Sequence, residues 1–234
     1  MPGSIQRIGD QGWLALLGGG EFSFGETLET DGMWVSKLDE GPVGFLPTAS
    51  GSSDYAANFS DYLKESFGRE SVLIPVYRAR DARRRKNVDR IDEAAAIYIG
   101  GGITDQLVET LQDTAALEAL GRKLASGGIV VAIAGATQAF GVLVRSLLGR
   151  DVVSGFGWLP GGVIEPNFDP GHDRRLRKLM EQRGVQWGLG LPAGSAVLLG
   201  PAGQQEMAGP IFVLEDSDGD FEILESPITC LLYT

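Results

Sequence analysis

Residues that could carry out nucleophilic chemistry gather in one short segment, Gly135-Ala136-Thr137-Gln138-Ala139. It follows an apolar run, Ile129 to Ile133, and leads into a helical pattern. A sharp strand-to-helix turn of this kind can hold a hydroxyl or thiol out at the edge of a sheet. The pattern needs a small residue two positions before and two after the nucleophile, and Gly135 and Ala139 meet that around Thr137. Thr137 therefore takes the nucleophile position. A hydroxyl near neutral pH also needs a base to take its proton. The chain has a single histidine, His172, and Glu21 and Glu165 are the other candidate bases. Ser50, Ser52 and Ser195 are candidate substitute nucleophiles in loops.

Three further small-residue loops follow apolar runs: Gly18-Gly19-Gly20-Glu21, Pro47-Thr48-Ala49-Ser50-Gly51-Ser52 and Gly100-Gly101-Gly102. In open α/β sheets ligands bind beyond the carboxyl ends of the strands. Four such loops converging on one edge predict a site there, with free backbone N–H groups to cradle an anion or oxyanion. Gly19, Gly20 and Ser50 are its ligand-binding candidates. Nucleotide motifs are absent: there is no G-x-x-x-x-G-K-[ST], and Gly100-Gly101-Gly102-Ile103-Thr104-Asp105 lacks the third glycine of the dinucleotide fingerprint.

The elements that must hold these loops are legible as apolar patterns. Strand-length runs recur at Trp13 to Leu17, Val43 to Leu46, Val72 to Val76, Ala95 to Ile99 and Ile129 to Ile133. Several are apolar on consecutive residues, as in strands buried on both faces of a parallel sheet. Helical stripes lie between and after them. Tyr55, Phe59, Tyr62, Leu63 and Phe67 share one face; Leu107, Leu111, Ala115, Leu117, Leu120 and Leu124 repeat the pattern. A third stripe runs through Ala139, Phe140, Leu143, Val144, Leu147 and Leu148, and a shorter fourth through Leu176, Leu179 and Met180. The tail differs: Ala196 to Leu199, Ile211 to Glu215 and Phe221 to Leu224 read as strands, with a hairpin turn at Asp218-Gly219. These patterns predict an α/β/α sandwich with a mainly parallel sheet and a small antiparallel C-terminal portion. A single domain spans residues 1–234, with no linker, repeat or low-complexity segment.

Composition narrows the function. The 234 residues carry a formal net charge of −11, which argues against general nucleic-acid binding. One cysteine, Cys230, excludes an intramolecular disulfide and a thiolate metal cluster; it reads as a packed thiol. One histidine argues against a multi-histidine metal site, and no cofactor is expected. Asp216-Ser-Asp-Gly-Asp220 misses the EF-hand spacing and reads as a turn. No apolar run reaches the ~18 residues of a membrane span, and the start lacks a signal-peptide pattern, so a cytoplasmic protein is expected. Twelve of the 20 basic residues lie in two segments, Arg78 to Arg90 and Arg174 to Arg183. They are solvated faces or a pocket rim that attracts acidic ligands.

The chain resembles a known family: the serine peptidases related to dipeptidase E and cyanophycinase, with the class I glutamine-amidotransferase-like fold. The resemblance runs from Leu16 to about Leu199. It rests on L-L-G-G-G-E (Leu16 to Glu21), F-L-P-T-A-S-G (Phe45 to Gly51), A-I-Y-I-G-G-G (Ala96 to Gly102), G-I-V-V-A-I-A-G-A-T (Gly128 to Thr137) and G-F-G-W-L-P-G-G-V-I-E-P-N-F (Gly155 to Phe168). It implies a flavodoxin-like three-layer fold and peptidase chemistry. Set against the family's G-T-S-A-G-A, the segment Gly135 to Phe140 puts Thr137 in the serine's place. Asn167 falls on the family's histidine, and Gly190 to Ser195 has no acid where the family carries one. The family's oxyanion donors fall on Gly101 or Gly102 and on Gln138.

All three catalytic positions have thus changed. The expectation is a catalytically degenerate homologue that keeps a small-ligand pocket for an acidic amino acid, peptide or carboxylate. The alternative is an active hydrolase using Thr137 or a nearby serine with a relocated base. A homodimer is expected by resemblance to cyanophycinase.

Overall fold

The structure, a computed structural model, describes residues 5–149 and 152–224. In chain order the strands are β1 (Trp13–Leu17), β2 (Val43–Leu46), β3 (Ser71–Leu73), β4 (Ala96–Ile99), β5 (Ile129–Ile133), β6 (Leu143–Arg145), β7 (Val152–Ser154), β8 (Gly162–Pro166), β9 (Trp187–Leu191), β10 (Ala196–Leu199), β11 (Gln205–Ala208), β12 (Ile211–Leu214) and β13 (Glu222–Leu224). The helices are α1 (Leu28–Val35), α2 (Ser53–Phe67), α3 (Ala79–Ala82), α4 (Arg85–Glu93), α5 (Thr104–Leu111), α6 (Ala115–Ala125), α7 (Gly135–Gln138) and α8 (Arg174–Met180).

The central sheet has the order β11-β10-β1-β5-β4-β2-β3. The five strands from β1 to β3 run parallel, and β10 and β11 add an antiparallel edge beside β1. The consecutive apolar runs follow from burial on both faces. Leu14 and Leu16 of β1 enter one core while Ala15 and Leu17 enter the other; Ile97 and Ile99 of β4 likewise oppose Ala96 and Tyr98. One layer supplies Trp34 of α1 and Phe59 and Leu63 of α2; the other supplies Ile91 of α4, Leu107 of α5 and Leu120 of α6. The predicted three layers and mostly parallel sheet are therefore present. α2 is bounded as its sequence dictates: the Ser52 hydroxyl accepts from Tyr55 N at 3.2 Å, and Gly68 closes the helix at φ 64°.

A second sheet, β13-β12-β9-β8, packs on the first. Ile164, Leu189, Ile211 and Val213 join the core shared with the central sheet, while Val163, Phe212 and Leu214 face α8. The Asp218-Gly219 turn joins antiparallel β12 and β13, as predicted. The apolar runs did not reveal β8 and β9, because glycines interrupt them. Those glycines make room for neighbours: a Cβ at Gly190 would meet the Phe168 ring at 2.6 Å, and one at Gly188 would meet Met180 Sδ at 2.9 Å.

Two expected elements need correction. The run Val72 to Val76 is a strand only over Ser71–Leu73; Ile74 N still bonds Phe45 O at 2.9 Å, and then Pro75 has no N–H to give. The stripe from Ala139 to Leu148 is not a helix. α7 ends at Gln138, and β6 pairs antiparallel with β7. Gly141 breaks the helix, and Val142 N bonds Gly162 O at 2.8 Å instead, so tertiary pairing overrides the local apolar spacing. Cys230 lies outside the described residues.

Candidate functional site

The carboxyl ends of β1, β2, β4 and β5 lie at one edge of the sheet, and their small-residue loops pack together there. A Cβ at Gly102 (φ 146°) would overlap the Ala49 backbone, and one at Gly101 would lie 3.3 Å from the Ala134 methyl. The N–H groups of Gly101 and Gly102 have no hydrogen-bond partner among the described residues. The β1 loop is covered from the other side. Gly194 N bonds Gly19 O at 3.0 Å, and the Asn167 amide occupies the space where Gly19 (φ 148°) would carry a Cβ. Gly20 packs on Thr27.

The sharp turn sits after β5, and its apex is Ala134, at φ 52° and ψ −124°. This backbone region is sparsely populated by non-glycine residues and costs about 1–3 kcal/mol. It is held by Ala134 N bonding Leu17 O at 3.0 Å and Ala134 O accepting from Thr137 N at 2.9 Å. The Ala134 methyl is half-buried at the sheet edge, the place where a nucleophile elbow presents its reactive atom.

Thr137 lies three residues later, inside α7, with 0% of its surface exposed. Its hydroxyl donates toward Leu17 O at 2.8 Å and Ala132 O at 2.7 Å. Both partners are carbonyls, so no base is positioned to take the proton. The hydroxyl ties the ends of β1 and β5 together and points away from the open edge. His172 does not approach it: its Nδ1 lies 2.6 Å from Asp169 Oδ2 on the exposed turn before α8. That contact and Gly171 N hold the Asp169 carboxyl below its usual range.

The other candidates serve local structure. Glu21 caps the turn at Phe22–Phe24, accepting from Ser23 N at 3.3 Å. Ser50 Oγ donates to Pro47 O at 3.3 Å, Ser52 caps α2, and Ser195 Oγ donates to Pro192 O at 2.8 Å. Asn167 follows β8 at φ 49°, a left-handed conformation that Asn tolerates better than most residues, and its N bonds Gly18 O at 2.8 Å.

Behind the elbow a polar chain leads outward. Thr104 Oγ1 donates to Gly135 O at 2.8 Å and lies 3.3 Å from Gln138 Oε1. Gln138 Nε2 lies 3.3 Å from Glu165 Oε2. Glu165 is 5% exposed, and its other oxygen faces Arg145 Nη2 at 3.6 Å and Arg175 Nη1 at 3.9 Å. Burial pushes the Glu165 carboxyl above its usual range, and the two arginines oppose that. Beyond them opens a cleft of 610 Å³ between α8 and the β6–β7 hairpin, lined by Arg145, Val152, His172, Arg174, Arg175 and Lys178 among others. Of the two basic segments, the one beginning at Arg174 supplies this rim, whereas Arg78 to Arg90 does not contribute to it.

Sequence reasoning missed Ala134. The spacing that singled out Thr137 also fits Ala132-x-Ala134-x-Ala136, but an apex without a reactive atom is invisible to a search for nucleophiles. Among the described residues no group of three or more His, Cys, Asp or Glu side chains could hold a metal ion, and no helix is long and apolar enough to cross a membrane.

The family model for peptidase family S51 matches residues 14–203. Among solved structures, a peptidase from an acI-B1 Actinobacterium superposes with a TM-score of 0.72 at 21% identity, covering 93% of this chain and 96% of the other. A putative peptidase E protein from Listeria monocytogenes EGD-e gives a TM-score of 0.61 at 16% identity, covering 84% of this chain and 98% of the other. No curated protein matches the chain. The structural likenesses bear on the fold.

Proposed function

Because this chain belongs to peptidase family S51, we propose that it is a noncatalytic member of that family which keeps the fold and binds a small acidic ligand. The observation that carries this reading is the methyl group of Ala134 at the strained apex. Set on that apex, the family's G-T-S-A-G-A segment runs from Ala132 to Thr137 and puts Ala134 in the serine's place. Alanine has no atom to attack a carbonyl. Asn167, in the histidine's place, cannot serve as a base. The N–H groups of Gly101 and Gly102, unpaired among the described residues, leave the cradle for an oxygen atom open without a nucleophile to use it. The acidic ligand is supported by the basic cleft linked to the elbow through Glu165. The proposal extends to a single-domain cytoplasmic protein that works apart from nucleic acids and membranes, without metal or cofactor, and pairs as a homodimer.

The test is turnover of aspartyl dipeptides and β-aspartyl–arginine by the purified protein, beside Thr137→Ala and Ala134→Ser. No turnover by the wild type is expected. Turnover that Thr137→Ala abolishes would overturn the reading and make this an active hydrolase built on Thr137. Turnover that survives Thr137→Ala would overturn it as well and place the nucleophile elsewhere.

A further inference from the structure

We infer that the cleft between α8 and the β6–β7 hairpin binds a small organic phosphate that carries no ammonium group. This rests on the reading of the chain as a ligand-binding protein and names the ligand's chemistry.

Charge is the first argument. Among the described residues four permanent cations line the cleft: Arg145, Arg174, Arg175 and Lys178. The described carboxylates nearby are already engaged. Glu165 stands behind the cleft between Arg145 and Arg175. Asp173 receives Arg177 Nε at 2.7 Å, and Asp169 is held by His172. Arg177 itself is turned away, donating to Ser217 O at 2.7 Å and Gly219 O at 2.9 Å with its guanidinium over Phe221. With Glu165 offsetting one of the four cations, three positive charges remain among the described residues. In a protein of net charge −11 this is a local reversal of sign. It focuses a polyanion into the cleft against the field of the remaining surface.

Donor geometry is the second. Arg145 Nε is buried and has no hydrogen-bond partner among the described residues. The Glu165 contacts, at 3.6 and 3.9 Å, are longer than hydrogen bonds and leave the guanidinium forks with donors to spare. Glu165 thus anchors two forks without saturating them. Such forks match the oxygens of a phosphate in pairs. A phosphomonoester concentrates nearly two charges and three acceptor oxygens on one centre, as this cluster requires.

The third argument is what the cleft lacks and what its floor offers. Among the described residues the carboxylate that lines it, Asp173, is already engaged by Arg177, so an α-ammonium group would meet cations and no free carboxylate. That disfavours free amino acids and dipeptides. Val152 and Leu179 line the same space, and 610 Å³ lies within the ~300–1,000 Å³ of small-molecule pockets, so a bare inorganic ion would leave an apolar wall unused.

The experiment is calorimetric titration of the full chain with phenyl phosphate, inorganic phosphate and L-aspartate, at two salt concentrations. The expected result is phenyl phosphate binding at least tenfold more tightly than either other probe, with affinity falling as salt rises. The double variant Arg174→Ala/Lys178→Ala removes two exposed side chains and should keep its melting temperature while losing at least tenfold in affinity. Aspartate binding as well as phenyl phosphate, no binding of phenyl phosphate, or unchanged affinity in the double variant would overturn the inference. Inorganic phosphate equal to phenyl phosphate would overturn the organic body. Peptide turnover by the wild type would overturn only the noncatalytic reading, since the charge of the cleft does not depend on it.

Discussion

The elbow and the cleft lie at opposite ends of one polar chain, and they satisfy their polar groups in opposite ways. At the elbow the hydroxyl of Thr137 is closed onto two carbonyls, and the strained apex bears a methyl group. At the cleft a cluster of guanidinium groups faces outward, and Arg145 Nε has no partner among the described residues. The Thr137 hydroxyl needs no ligand to complete its hydrogen bonding, whereas the cleft's cations have donors left to give. Backbone strain at an apex with no reactive group is a cost without chemistry to show for it, which fits a scaffold inherited for catalysis. Uncompensated charge, by contrast, is tolerated where a ligand of the other sign arrives.

The largest expected effect tests the elbow as a rigid scaffold. Gly102→Ala should destabilise the protein by about 3 kcal/mol or more, because a Cβ at φ 146° would also overlap the Ala49 backbone. Urea denaturation measures this; a loss below about 1 kcal/mol would mean that the loops give way easily and the elbow is not preorganised.

Next comes the role of Thr137. Thr137→Val keeps the shape and removes the donor to Leu17 O and Ala132 O, and should cost about 1–3 kcal/mol. Thr137→Ser should cost less, since it keeps the hydroxyl. Equal stability of the valine variant and wild type would free the hydroxyl for another task and weaken the contrast with the cleft.

Ala134→Gly should act in the opposite direction. Glycine adopts φ 52° without strain, so relief outweighs the added chain entropy and stability rises by about 1 kcal/mol. A lower melting temperature in this variant would show that Ala134 is not strained.

The smallest effect concerns pH. Burial raises the folded-state pKa of Glu165, so the folded state holds this proton more tightly than the unfolded one. The stability this contributes is fully present below the unfolded value and is lost as pH rises through the folded value. Glu165→Gln should therefore flatten the fall of stability with rising pH on the alkaline side of pH 4.5, the reference value for its carboxyl. An unchanged pH profile would remove Glu165 as the charged link between the elbow and the cleft.

Much of the fold is written in local patterns. β1, β2 and β5 coincide with their apolar runs, and α2 fills the interval between its Ser52 cap and Gly68. Such signals are local because burial on both faces of a strand, or on one face of a helix, leaves a direct mark on residue order. β8 and β9 left a weak mark because Gly162, Gly188 and Gly190 replace side chains with room for their neighbours. The stripe from Ala139 to Leu148 left a misleading one, since β6 answers to β7 and to Gly162 O rather than to its own periodicity.

The sequence by itself determined the layers, the convergence of four small-residue loops on one sheet edge, and the family to which the chain belongs. It also marked the segment beginning at Arg174 as a rim for acids. Only the tertiary structure decided that Ala134, not Thr137, stands at the apex, because backbone torsion is set by how β5 docks between β1 and β4. Only the tertiary structure brought Arg145 beside Arg175 across Glu165, from three separate elements. Charge and small size are properties of single residues. Which atom faces a cleft and which is closed onto a carbonyl depends on neighbours that only folding supplies.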